Sequence, residues 1–126
     1  MTDLDIPATQ SSPLVKTSSA NGTIEMRGDS YPENSFEFFT PVISWVREYL
    51  DSSKALLRLD LHLLYLNTSS VKVMMDIFDM LEEAHATGRE VRACWFYDAE
   101  NERIAELAEE FKEDCSFDFQ IIQTEA

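Results

Sequence analysis

From Leu56 to Leu66 the chain alternates, with Leu57, Leu59, Leu61, Leu63 and Tyr65 on one side of an extended strand and Arg58, Asp60 and His62 on the other. The leucine side is core. The polar side turns apolar at Leu64 and Leu66, which suits a central strand whose first half is wetter. Asn67-Thr68-Ser69-Ser70 breaks this run. Behind it Val71, Met74, Met75, Phe78, Leu81 and Ala84 recur at spacings of three and four, predicting a helix over about 70–87 that stops at Gly88. Its other side holds Lys72, Asp76, Asp79, Glu82 and Glu83. The chain is organised around this strand, hydroxyl turn and helix start.

The flanking segments continue the alternation of strands and helices. Residues 13–17 and Thr23–Gly28 read as a hairpin joined through Ala20-Asn21-Gly22. After the turn-rich Gly28–Asn34 stretch, Asn34 and Glu37 resemble a capping box. A helix then carries Phe38, Phe39, Val42, Trp45, Val46 and Tyr49 to about Leu50. Pro41 removes a backbone donor inside it, predicting a kink or restart near Thr40. Val91–Tyr97 is a strand, Asn101–Lys112 a helix with Ile104, Leu107, Ala108 and Phe111 as its core side, and Phe117–Ile122 a closing strand. Strand, strand, helix, strand, helix, strand, helix, strand predicts an α/β domain with a mixed sheet and parallel crossovers. One domain spans 1–126, with 1–12, which carries Pro7, expected to be a loosely ordered N-terminal segment.

Charge narrows the partners. Ten basic against 24 acidic residues give a net charge of -14, which repels nucleic acid and anionic membranes and leaves proteins or cations. No stretch approaches the ~18 apolar residues of a membrane span, and Met1–Ile6 lacks a basic region and an apolar core. A soluble protein with no recognisable export signal is expected. Cys94 and Cys115 stand apart from any CxxC or Cys/His spacing, so reduced cytosolic thiols are expected and no metal or cofactor is implied.

Catalytic motifs are scarce. GxSxG, GxxxxGK[ST], GxGxxG and HExxH do not occur, and glycines stand only at 22, 28 and 88. Asp60 and His62 point the same way from one strand, which leaves open a small acid/base or metal-assisted hydrolase beside the plainer reading of a solvated pair. His85 suits a helix C-terminus and needs no further role. The carboxylates from Asp98 to Asp114 read either as a solvated face or as a docking surface for a basic patch.

The hydroxyl turn is the more informative feature. Thr68, Ser69 and Ser70 read first as a helix N-cap. No carboxylate follows until Asp76, however, and Lys72 adds positive charge where the helix dipole is already positive. That end is receptive to an anion. A phosphate on Thr68 would bring about -1.5 to -2 charges and three acceptor oxygens to free backbone donors.

Gly28-Asp29-Ser30-Tyr31-Pro32-Glu33-Asn34, Asp60-Leu61-His62-Leu63-Leu64-Tyr65-Leu66-Asn67-Thr68-Ser69-Ser70, Met75-Asp76-Ile77-Phe78-Asp79 and Ala105-Glu106-Leu107-Ala108-Glu109-Glu110-Phe111 together resemble the SiaC family of bacterial regulatory phosphoproteins. The resemblance covers nearly the whole chain. It implies a fold similar to the STAS domains of anti-anti-sigma factors, a mixed β-sheet with helices packed mainly on one face. It also implies a non-enzymatic, cytoplasmic partner switch with Thr68 as the phosphate acceptor. In such a circuit a serine/threonine kinase adds the phosphate and a PP2C-type phosphatase removes it. The unmodified form binds and activates a diguanylate cyclase, favouring biofilm formation and aggregation through cyclic di-GMP. The binding surface implied is the turn and the helix after it: Asn67, Ser69, Ser70, Lys72, Met75, Asp76 and Asp79.

Overall fold

The computed structural model describes residues 2–124; Met1 and residues 125–126, the ends of the expected domain, lie outside the described residues. The chain runs β1 (Asp5–Ile6), β2 (Leu14–Ser18), β3 (Thr23–Ser30), α1 (Ser35–Ser52), β4 (Leu57–Leu66), α2 (Thr68–Ala86), β5 (Val91–Asp98), α3 (Glu102–Glu113) and β6 (Asp118–Thr124). One sheet takes all six strands in the order β1-β2-β3-β4-β5-β6. β1, β2 and β3 pair antiparallel, and β3 to β6 pair parallel. The predicted α/β mixed sheet is therefore present.

The β2–β3 hairpin closes at Gly22, whose φ of +67° is one that residues with a side chain rarely adopt. A Cβ there would also strike the Leu56 carbonyl and the Tyr49 hydroxyl, so the turn seats directly on the end of α1. Each parallel step crosses over through a helix and moves the same way along the sheet. With right-handed crossovers, α1, α2 and α3 all fall on one face. Ile24, Met26, Leu57, Leu59, Leu61, Leu63, Ala93, Trp95 and Phe119 are buried on that face against Phe39, Val42, Val46, Met74, Ile77, Leu81, Ala108 and Phe111. Because the connections never reverse direction, no crevice opens at a topological switch point.

The structure departs from the sequence pattern in four places. Residues 2–12, expected to be loosely ordered, include β1, and the Asp3 carboxylate accepts hydrogen bonds from the Ser19 N–H (2.8 Å) and the Trp45 indole (3.1 Å). α1 runs unbroken through Pro41, so the restart expected near Thr40 does not occur. The Thr40 hydroxyl donates to the Phe36 carbonyl (2.8 Å) in the turn where the proline approaches. In β4, Tyr65 is exposed and Leu66 takes its place in the core. The cause is a β-bulge: Gly28 pairs with Leu63 but Asp29 with Tyr65, so Leu64 is an extra residue and the alternation reverses beyond it. In α2 the buried stripe is Ser70, Val73, Met74, Ile77, Phe78 and Leu81, which turns Met75 outward. Apolar residues fill almost every position from Val71 to Phe78, so two helical phases compete in the sequence. Packing on β4 selects the one that buries Val73 and Ile77.

Candidate functional site

All three helices begin alike. Asn34, Asn67 and Asn101 each accept, through the side-chain oxygen, the N–H of the third helical residue: Glu37 at 3.0 Å, Ser70 at 2.9 Å and Ile104 at 3.2 Å. α1 and α3 add an acid in the first turn, Glu37 and Glu102, whereas α2 adds none. The cap of α2 is thus Asn67 and not one of the hydroxyls, which corrects the first reading of that turn. Asn67 is itself fixed, its N–H donating to the Ser30 carbonyl at 2.9 Å and its own carbonyl accepting from Val71 at 2.9 Å. Thr68 becomes the first helical residue and its side chain is exposed.

The three hydroxyls of the turn meet different fates. Ser70 is fully buried, its Oγ 2.8 Å from Ser30 Oγ and 3.2 Å from Ser35 Oγ. Ser69 sits at the surface, yet its hydroxyl donates to Asn67 Oδ1 at 3.2 Å and lies 2.8 Å from Ser35 Oγ. Thr68 stands outside this network. Ser70, expected among partner-contacting residues, is therefore a buried strut between β3, α1 and α2. Asn67 is half-buried, while Thr68, Ser69, Lys72, Met75, Asp76 and Asp79 are all exposed. Thr68, Lys72, Met75, Asp76 and Asp79 follow helical spacing along one outward stripe of α2.

Periodicity missed the apolar surroundings of this turn. Among the described residues the exposed large hydrophobics are Phe36, at 72%, with Tyr31, Leu64, Tyr65 and Met75 between 40% and 52%. The first four lie at the C-terminal ends of β3 and β4 and at the start of α1, and Met75 is two turns along α2 from Thr68. Tyr31 and Tyr65 meet edge to face at 6.0 Å. Leu64, Tyr65, Leu66, Val71, Ile104 and Leu107 line a groove of about 270 Å³, edged by Arg103, Glu106 and Glu110. Phe36 carried a signal, being an aromatic off the apolar stripe of its helix. Leu64 and Tyr65 carried none, because the bulge exposes both.

The other candidate region is the sheet face that bears no helix. Asp60 is held by Arg58 (Nε to Oδ1, 2.8 Å), and matching pairs join Arg27 to Glu25 (3.1 Å) and Arg92 to Asp118 (2.9 Å). The His62 ring stacks on Phe96 at 4.6 Å, and burial, helped by the Arg27 charge, holds its pKa below the ordinary histidine value. Among the described residues Asp60 donates to or accepts from no histidine, and no group of three His, Cys, Asp or Glu side chains is placed to hold a metal. Burial raises the Cys94 thiol and pushes Cys115 up to about 11, so neither is an activated nucleophile. A cavity of about 720 Å³ lies at the C-terminal ends of α1 and α2. There the Arg89 guanidinium donates to the carbonyls of Leu50 (2.7 Å) and Ala55 (3.0 Å), a cation matched to helix ends.

Thr68 at its helix start and the exposed aromatics at the same end of the sheet form an open surface. The chain belongs to the SiaC family of regulatory phosphoproteins, which matches residues 6–124. An uncharacterized protein of Pseudomonas aeruginosa (strain UCBPP-PA14) is 60% identical over 121 residues, 96% of either chain. The structure of SiaC of Pseudomonas aeruginosa superposes with a TM-score of 0.93 at 56% identity, covering 98% of this chain and 100% of that one. A chain from the crystal structure of the diguanylate cyclase SiaD in complex with its activator SiaC, also from Pseudomonas aeruginosa, matches with a TM-score of 0.94 at 58% identity, over 97% of this chain and 100% of that one. No helix among the described residues is long and apolar enough to cross a membrane.

Proposed function

We propose that this chain is a phosphorylation-controlled binding switch whose unmodified form docks on and activates a diguanylate cyclase. Cyclic di-GMP then rises, and biofilm formation and aggregation follow. A serine/threonine kinase adds phosphate to Thr68, a PP2C-type phosphatase removes it, and the exchange takes place in the cytoplasm. The observation that carries this reading is the exposed Thr68 at a helix start with no acid in its first turn, at the same end of the sheet as the exposed Tyr31, Phe36 and Tyr65 and on the helix that bears the exposed Met75. Phosphate there is tolerated by the fold, because the helix dipole and the first-turn N–H groups of α2 favour an anion. A partner seated on the aromatics meets instead about two negative charges that it must desolvate.

The test has two parts. Incubation with ATP and the cognate kinase, followed by mass spectrometry, is expected to map phosphate to Thr68; modification confined to other residues overturns the assignment. Thr68→Ala is expected to keep cyclase activation and Thr68→Glu to lose it, and equal activation by both rejects the switch. The hydrolase reading of Asp60 and His62 is disfavoured by the Arg58–Asp60 pairing, which leaves that carboxylate no catalytic partner.

A further inference from the structure

The hydroxyls beneath the turn form one network. Ser69 Oγ lies 3.2 Å from Asn67 Oδ1 and 2.8 Å from Ser35 Oγ, so its one proton and its lone pairs are shared between those two partners. Ser35 Oγ lies 3.2 Å from Ser70 Oγ, and Ser70 Oγ 2.8 Å from Ser30 Oγ. The contacts link Ser30, Ser70, Ser35, Ser69 and Asn67. Three of the four serines are buried, and Ser35 comes from the first turn of α1, 34 residues before Ser69.

Accepting a phosphoryl group asks two things of a hydroxyl: a lone pair to attack phosphorus, and a proton free to leave. During the transfer the O–H bond breaks and its proton passes to a base of the kinase. The oxygen bonds to the γ-phosphorus of a nucleoside triphosphate, and the bond to the bridging oxygen breaks, releasing the diphosphate. Ser69 has its proton engaged within the network and its side chain held between Asn67 and Ser35. Ser70 is sealed in the core. Thr68, one residue away and also exposed, stands outside this network.

We infer that Ser35 is a specificity-determining residue for phosphorylation of this chain: by hydrogen-bonding Ser69 from the neighbouring helix, it holds that hydroxyl out of reaction and directs the phosphoryl group to Thr68. The inference rests on the reading of Thr68 as the acceptor and adds the reason that its neighbour is refused. Ser35 is a positioning residue, since it touches Ser69 and not the nucleotide.

The experiment maps phosphate by mass spectrometry on the full chain, recovered from the cells that make it and their own kinase. In Ser35→Ala, phosphate on Ser69 relative to Thr68 is expected to rise about fivefold, the worth of one net hydrogen bond. Ser35→Thr, which keeps the hydroxyl, is expected to restore the wild-type ratio. A folded Ser35→Ala, checked by circular dichroism, with an unchanged ratio overturns the inference. A second arm avoids altering the buried site: in Thr68→Ala with Ser35 intact, Ser69 is expected to stay unmodified, and full transfer to Ser69 overturns the inference even if Ser35→Ala does not fold. A wild-type chain with no phosphate on Thr68 overturns the parent reading as well, whereas phosphate on Thr68 with an unmoved ratio in Ser35→Ala overturns this one alone.

Discussion

Two surfaces of this molecule invite a chemical role, and they differ in how many of their interactions are already satisfied. On the helix-free face of the sheet, Arg27, Arg58 and Arg92 each have a carboxylate on the same face, and His62 lies flat on Phe96. Around Thr68, four aromatic or leucine side chains stand open to solvent, the hydroxyl lies outside the network beneath it, and the helix dipole has no acid to answer it. A mosaic of surface ion pairs is at rest, contributing little and asking for nothing. Exposed aromatics beside an unanswered helix start gain from a partner, and a phosphate placed there would oppose that gain.

The contrast is sharpest in binding. Thr68→Glu is expected to weaken association with the cyclase by about 3 kcal/mol, roughly 100-fold, while Thr68→Ala stays within a few-fold of wild type, both by calorimetric titration. Equal affinities would place the docking surface elsewhere. Below the turn, Ser70→Val is expected to cost about 2 kcal/mol of stability in urea unfolding, since the Ser30 hydroxyl is left buried without its partner. A loss under ~0.5 kcal/mol would mean that the strut relaxes freely.

Phe36→Ser tests the aromatic surroundings directly. Folding stability should hold, because the ring is exposed, and cyclase affinity should drop about tenfold. On the opposite face Asp60→Asn breaks one surface ion pair and should change stability by ~0.2–1 kcal/mol, with cyclase activation unaltered. Loss of activation with this variant would erase the distinction between the two surfaces. The smallest effect is one of pH. Burial lowers the folded pKa of His62, so its neutral form is the one the fold prefers. Its contribution is full above the unfolded histidine value and lost as pH falls through the folded one. A urea series across that range should show the loss in wild type and a flatter profile in His62→Phe.

Much of this arrangement can be read from the chain. The leucines of β4, the three helices and the hydroxyl junction follow from period two, period 3.6 and polar breaks, because each signal is local. The misreadings have non-local causes. Tyr65 is exposed and Leu66 buried because a bulge opposite Gly28 and Asp29 resets the alternation, and no residue in β4 announces it. Met75 faces outward because α2 had two available apolar stripes and its contact with the sheet chose between them. The fate of each hydroxyl was hidden for the same reason: Ser30 and Ser35, which meet Ser69 and Ser70, stand 34 to 40 residues earlier. The hydroxyl junction at a helix start without an acid is legible because it lies within a few residues, whereas the choice of Thr68 among its three hydroxyls comes from the family resemblance.

The strand order has a further consequence, for the way the molecule is made. Each strand pairs with the one synthesised just before it, so the sheet can grow in one direction as the chain leaves the ribosome, with no strand waiting for a distant mate. Thr68, its asparagine cap and all the serines that discipline the turn precede β5. The half that carries the Thr68 turn is therefore translated first, and β5, α3 and β6 arrive afterwards to complete the sheet beside it.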